Sequence, residues 1–431
     1  MTPISLTRAL LGSAAISLAA LSPALAQTEI TFFYPVQVGG PLTEVVDGYV
    51  AEFEAQNPDI TVEAIYSGSY TDTTTRALTA ARSGTPPTVA VMLATDIFTL
   101  IDAGVIAPLD DHITTPEDQA WLDGFMPAYL ASARLDGHVW GAPFQRSTAV
   151  MYYNKEAYAA AGLDPETPPA TWDEMVEHGR ALTVRDASGT VTQWGLGIPG
   201  SSNAAHWLFG ALVAQNGGQL SSEDGLHTFF DSPEVVGALE YWVSLGAEHG
   251  IHPPGVLEWG TTPSDFMEGR LAMAWTTTGN LGNIRANAPF DFGVAAYPGN
   301  PDPASVLGGG NLYLFADASD EEKAAAFRFI KHMTSDELLA DWGIQTGYVA
   351  PRDGSWDTQA LQDYVAEVPQ ADVARRQIAV SVPEISTYEG HRVNEVLNAA
   401  IQAALTGQQS PADALTAAQA EAERILAVYR D

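Results

Sequence analysis

A tyrosine in a tight turn and a scarce arginine are the groups in this chain best suited to hold an anion. Gly347-Tyr348, with Pro351 three residues further on, fixes a turn that can present the Tyr348 hydroxyl. Some forty residues later comes Gly390-His391-Arg392-Val393-Asn394, and Arg392 is one of 16 arginines in a chain with 53 acidic residues. A phenol and a guanidinium on separate loops satisfy an oxyanion with charge-assisted hydrogen bonds. Spacing alone leaves a second account open, in which Tyr348 is a core residue and Arg392 a surface arginine in an ordinary ion pair.

Groups for bond-breaking chemistry are not assembled in the same way. The sequence has no His-Glu-x-x-His run, no P-loop, no Gly-x-Ser-x-Gly elbow and no cysteine nucleophile. His249 and His252 are close in sequence, but they precede Pro253-Pro254 and lack further ligands at metal spacing. The pairs Asp110-Asp111 and Glu321-Glu322 fit solvated turn and helix-start positions. The expectation is a binding protein with no cofactor, no metal and no catalytic residue. A phosphodiesterase stands as the enzymatic alternative.

Composition bounds the partners. A net charge of −34 argues against nucleic acid and anionic membrane surfaces, which are met by clustered Lys and Arg. Residues 1–26 carry one charge, Arg8, then a short apolar run over 10–21 and Ala24-Leu25-Ala26, a small-x-small cleavage signature before Gln27. This predicts export, and the lack of cysteine excludes both a disulfide framework and a lipid-modified anchor cysteine. A freely diffusing periplasmic monomer is the expectation. At 431 residues and 46% hydrophobic content, the chain exceeds what one core usually holds, so two domains are expected.

The elements that must carry Tyr348 and Arg392 alternate in kind. Strands are predicted at 30–34, 60–66 and 89–92, with helices at 42–57 and 71–83 between them. Further strands are predicted at 149–154, 272–275 and 311–315. A helix over 155–161 follows the first of these, and one over 320–333 the last, capped by Ser319 with Glu322 three residues on. Val396, Leu397, Ala400 and Ile401 share one face of a C-terminal helix, and Pro411 opens a final one. The pattern is α/β with an open, mostly parallel sheet, which binds ligands at the carboxyl ends of its strands. No low-complexity linker separates two halves, so the lobes are expected to interleave.

Several of these segments resemble bacterial extracellular solute-binding proteins. They include Glu54-Ala55-Gln56-Asn57-Pro58-Asp59, Tyr66-Ser67-Gly68-Ser69-Tyr70, Tyr152-Tyr153-Asn154-Lys155, Phe266-Met267-Glu268-Gly269-Arg270 and Leu307-Gly308-Gly309-Gly310. Within that family the chain is most similar to the glycerol-3-phosphate-binding branch, through the Tyr70 segment, Pro143-Phe144 with Ser147-Thr148, Thr346-Gly347-Tyr348 and the Arg392 segment. The resemblance implies a two-lobed α/β periplasmic binding protein fold of type II, like maltose-binding protein, with ligand in the interlobe cleft. The lobes are expected to comprise 27–143 plus 280–343 and 144–279 plus 344–431. The resemblance also implies that Tyr70, Ser147, the Gly308-Gly309 backbone, Tyr348 and Arg392 grip a phosphate, with Thr278 matching a serine of the same pocket. The ligand would be sn-glycerol-3-phosphate or a glycerophosphodiester such as glycerophosphocholine, delivered to the transmembrane permease subunits of an ABC importer.

The sequence departs from that branch where the glycerol end would sit. Asn203 and His206 occupy the positions of two tryptophans, with Trp207 one residue off, and Ala94 stands where a glutamate is expected, with Asp96 two residues on. An aromatic face from Trp207, Trp259 or Trp275 could instead meet a quaternary ammonium. The departures keep an uncharged sugar or oligosaccharide open as the alternative ligand.

Overall fold

The computed structural model describes residues 27–430 apart from 37, 40, 202, 203 and 301. The export signal over 1–26 and Asn203 lie outside the described residues. The first strand, Thr28–Tyr34, pairs in parallel with both Ile60–Tyr66 and Val89–Leu93. The linking helices Leu42–Gln56 and Tyr70–Arg82 match their predicted spans to within a residue. Val46, Tyr49, Val50 and Phe53 form the buried face of the former.

Beyond this unit the sheet is mixed, not mostly parallel. Ser305–Phe315 runs antiparallel to Val89–Leu93, and Gly141–Asn154 runs antiparallel to Ser305–Phe315. The other end of Gly141–Asn154 pairs antiparallel with Met273–Thr277 and Phe292–Ala295. Alternating hydrophobicity reveals a strand but not the direction of its partner, and that direction decides the class of sheet.

All 14 residues of Gly141–Asn154 are buried. Their side chains alternate between two cores, as period-two geometry requires. Val150 and Tyr152 join a cluster built on Ile30, Phe32, Phe53, Phe329 and Trp342. Ala149, Met151 and Tyr153 join a second, built on Trp172, Leu208, Phe209, Trp242 and Leu415. The chain rejoins the first cluster from Tyr348 to Ala374, then ends in the second through the helices Gly390–Leu405 and Pro411–Leu426. Fully burying a ring such as Phe32 or Phe144 contributes roughly 1.5–3 kcal/mol. The helix Asp320–Met333 spans its predicted residues, and its capping box of Ser319 and Glu322 is formed in both directions. No helix among the described residues is long and apolar enough to cross a membrane.

Candidate ligand-binding site

A cavity of about 600 Å³ lies between the two clusters. From the first it is lined by Tyr70, Leu93 and Tyr348, and from the second by Trp207 and the adjoining Trp259. Ser147 and Gly309, on the two crossing strands, line it between them.

Local structure explains each position on the hydroxyl side. Ser69 caps the helix Tyr70–Arg82, accepting from the Asp72 amide while Asp72 accepts from the Ser69 amide, so Tyr70 is fixed in the first helical turn. The Tyr70 hydroxyl donates to Gln145 Oε1 at 2.8 Å. Gly347 ends the helix Asp336–Thr346 in the left-handed region at φ 98°, which turns the chain and lays the Tyr348 ring against Trp342, 5.9 Å between centroids. The Tyr70 and Tyr348 hydroxyls are hydrogen-bonded to each other. Burial pushes Tyr348 up to about 12 and Tyr70 well above the ordinary phenol value, so both remain protonated donors at neutral pH.

The glycine run admits the two rings. A Cβ on Gly308 would stand 2.7 Å from Trp207 Nε1, and one on Gly310 would stand 2.8 Å from Tyr70 Cε1. Gly309 has φ 97°, and a Cβ there would meet the Gln145 carbonyl oxygen at 1.8 Å. The register between the crossing strands shifts at the next residue pair, Gly310/Asn311. Trp207 is then fixed by its Nε1 donating to Leu307 O at 3.0 Å and by an edge-to-face contact with Trp259 at 5.9 Å.

The cavity is also acidic. Glu258, Glu384 and Glu395 line it with His391, Asn398 and Gln402, and no lysine or arginine lines the cavity among the described residues. His206, buried beside it, has Nε2 3.4 Å from Glu384 Oε1 and Nδ1 3.2 Å from Asn398 Oδ1. Asp96 lies partly buried nearby, accepting from the Thr74 hydroxyl at 2.8 Å. Desolvation raises its pKa to about 6, the Thr74 hydrogen bond opposing and the charge of Glu384 reinforcing the shift.

Tyr70, Ser147, Gly309, Tyr348 and Trp207 line one cavity. Three other predicted site residues do not face it. Arg392 is 52% exposed and pairs with Glu389 at 3.4 Å. On the helix Gly390–Leu405 the cavity-facing stripe is 391, 395, 398 and 402, and residue 392 is rotated about 100° away from it. Thr278 is buried behind the wall, its Oγ1 accepting from the Thr148 amide at 3.4 Å, while its neighbour Thr277 lines the cavity. Gly308 supports Trp207 from behind. Trp275 is a core residue stacked on Tyr297 at 3.8 Å, whereas Trp259 lines the cavity.

Sequence reasoning missed Glu258, Glu384 and the polar stripe of the C-terminal helix. The i, i+4, i+7, i+11 spacing of His391, Glu395, Asn398 and Gln402 carried that signal, hidden beside the apolar face of the same helix. Among the described residues no group of three or more His, Asp and Glu side chains is placed to hold a metal.

The fold and this cavity are those of a receptor for a small solute, and the chain belongs to the bacterial extracellular solute-binding protein family, which it matches over residues 48–370. It is a substrate-binding protein of the kind that serves ABC importers. It is 27% identical to the sn-glycerol-3-phosphate-binding periplasmic protein UgpB of Escherichia coli K12 over 443 residues, covering 99% of this chain and 98% of that one. The structure of UgpB from Mycobacterium tuberculosis in complex with glycerophosphocholine superposes with a TM-score of 0.82 at 25% identity, covering 94% of this chain and 99% of that one. The cyclic α-maltosyl-1,6-maltose binding protein of Arthrobacter globiformis gives 0.78 at 27% identity, covering 93% and 99%.

Proposed function

We propose that this protein is the periplasmic substrate-binding component of an ABC importer for a glycerophosphodiester with a cationic head group, glycerophosphocholine being the type case. One observation carries the reading. The cavity is lined by neutral donors, Tyr70, Ser147, Tyr348 and the Gly309 backbone, and also by Trp207, Trp259 and three glutamates. A phosphodiester bears one negative charge, which hydroxyls and backbone groups can satisfy. A quaternary ammonium is attracted to indole faces and to carboxylates. No lysine or arginine among the described residues lines the cavity, so the second negative charge of glycerol-3-phosphate would face three glutamates without a contacting cation. The glycerophosphocholine complex of the Mycobacterium relative supports the same ligand class.

In this reading two lobes, 27–143 plus 280–343 and 144–279 plus 344–431 but with 348–374 packed in the first core, close on the ligand as a monomer and present it to the transmembrane permease subunits. Closure shifts an existing equilibrium because the closed form touches the ligand from both sides.

An uncharged oligosaccharide is the second reading. It is favoured by the same indole pair and carboxylates, which also suit sugar faces and hydroxyls, and by the maltosyl-maltose-binding relative. Calorimetric titration of ligand-stripped protein with glycerophosphocholine, glycerol-3-phosphate, maltose and trehalose separates the readings. Glycerophosphocholine bound more tightly than glycerol-3-phosphate is the expected result. Heat with a sugar alone would overturn it in favour of the second.

A further inference from the structure

A cation does stand at this site, one layer behind the cavity surface. Arg146 lies on the first crossing strand next to Ser147 and is 1% exposed. Its Nη1 donates to Asn311 Oδ1 at 3.0 Å and to the carbonyl of the cavity-lining Gly309 at 3.3 Å. Its guanidinium carbon is 4.9 Å from the centroid of the Tyr129 ring, and its Nε is buried without a partner. It enters no ion pair among the described residues; the nearest carboxylate to act on it, Glu384, acts only through space. The other groups that face it are the phenols of Tyr129, Tyr313 and Tyr70. Arginine stays protonated even in such surroundings. A buried guanidinium without a counter-ion is costly, and a single-residue change could remove it. Burial also makes it effective, because its field reaches the cavity through protein rather than water, unlike that of Arg392 at the surface.

We propose that Arg146 is a specificity-determining residue, the fixed positive charge that selects a phosphate-bearing ligand against Ser147, Gly309, Tyr70 and Tyr348. The proposal rests on the phosphodiester reading above. At an effective dielectric constant of about 20, unit charges about 8 Å apart interact by about 2 kcal/mol, roughly a 30-fold effect on affinity. A purely structural Arg146 would tie the crossing strands together through Gly309 and Asn311 and leave selectivity alone.

Asn311→Asp separates the two roles. It sets a carboxylate against Nη1 and neutralises the guanidinium in place, while the tie between the strands is kept or strengthened. The expected result is a loss of glycerophosphocholine affinity of about 10-fold or more, with a melting temperature no lower than the parent's. Arg146→Met should lose about 30-fold, and Arg146→Lys, which keeps the charge, should stay within about 3-fold. Wild-type protein that binds glycerophosphocholine, with Asn311→Asp bound equally tightly, would overturn the role of Arg146 and leave the ligand reading standing. Wild-type protein that gives no heat with glycerophosphocholine would overturn the ligand reading, and this assignment with it.

Discussion

Replacing Asp96 by Asn should stabilise the protein at pH 8 and do little at pH 4. The Asp96 carboxyl is partly buried behind the cavity, holds one hydrogen bond from Thr74, and feels the negative charge of Glu384, so its pKa rises from 3.8 to about 6. A raised acid favours the folded state while protonated. Its contribution is fully present below the unfolded value of 3.8 and is lost as pH climbs through about 6. A shift of about two units corresponds to roughly 3 kcal/mol between the two limits. Asn keeps the shape and an oxygen to accept from Thr74, but never ionises. The variant should therefore gain up to about 3 kcal/mol at pH 8, or roughly 3–4 °C in melting temperature for a protein of this size, and little at pH 4. Thermal denaturation of both proteins from pH 4 to pH 8 is the assay. A difference between them that does not change with pH would refute the assigned environment of Asp96, and so would a variant less stable than the parent at pH 8.

Three further outcomes follow from the site. Gly309→Ala should destabilise the fold by about 3 kcal/mol or more, from left-handed backbone strain and a clash with the Gln145 carbonyl, whereas Gly308→Ala should mainly weaken ligand binding by displacing Trp207; chemical denaturation and calorimetry distinguish the two. Arg392→Ala should change ligand affinity by less than about 3-fold, since an exposed ion pair is lost, while Tyr348→Phe should cost about 10-fold or more by removing a donor to a charged group. Trp259→Ala should weaken a choline ester by about 10-fold while weakening the corresponding glycerol ester much less, as measured by competition titration.

Much of the architecture was legible because local rules fix it. The capping box at Ser319 and Glu322, the apolar face of the first helix and the alternation over 60–66 each specify an element without reference to the rest of the chain. The first half of Gly141–Asn154 was not, because Gly141, Pro143, Gln145 and Arg146 disguise a strand buried on both faces. Pairing direction was equally hidden, since a strand's own sequence does not name its partner. At the site, Ser147 and Gly309 on the crossing strands, Tyr70 and Tyr348 line one cavity, while Gly308 backs Trp207. Arg392 does not line it, because a one-residue offset on a helix is a 100° rotation. Arg146 looked like any other arginine. What sets it apart is burial against Tyr129 and Asn311, which no nearby sequence feature announces.

The strand Gly141–Asn154 also has a thermodynamic consequence. Its alternate side chains belong to different cores, and its backbone is hydrogen-bonded to partners of both. Melting either core strips this strand of half its packing, so the other loses its margin at nearly the same temperature. Two cores joined in this way should unfold as one, giving a single calorimetric peak whose van't Hoff and measured enthalpies agree. If the lobes close on a ligand as proposed, hinge motion and global unfolding would then be insulated from each other: the molecule would open and close about its crossing strands many times without sampling a state in which half of it is denatured.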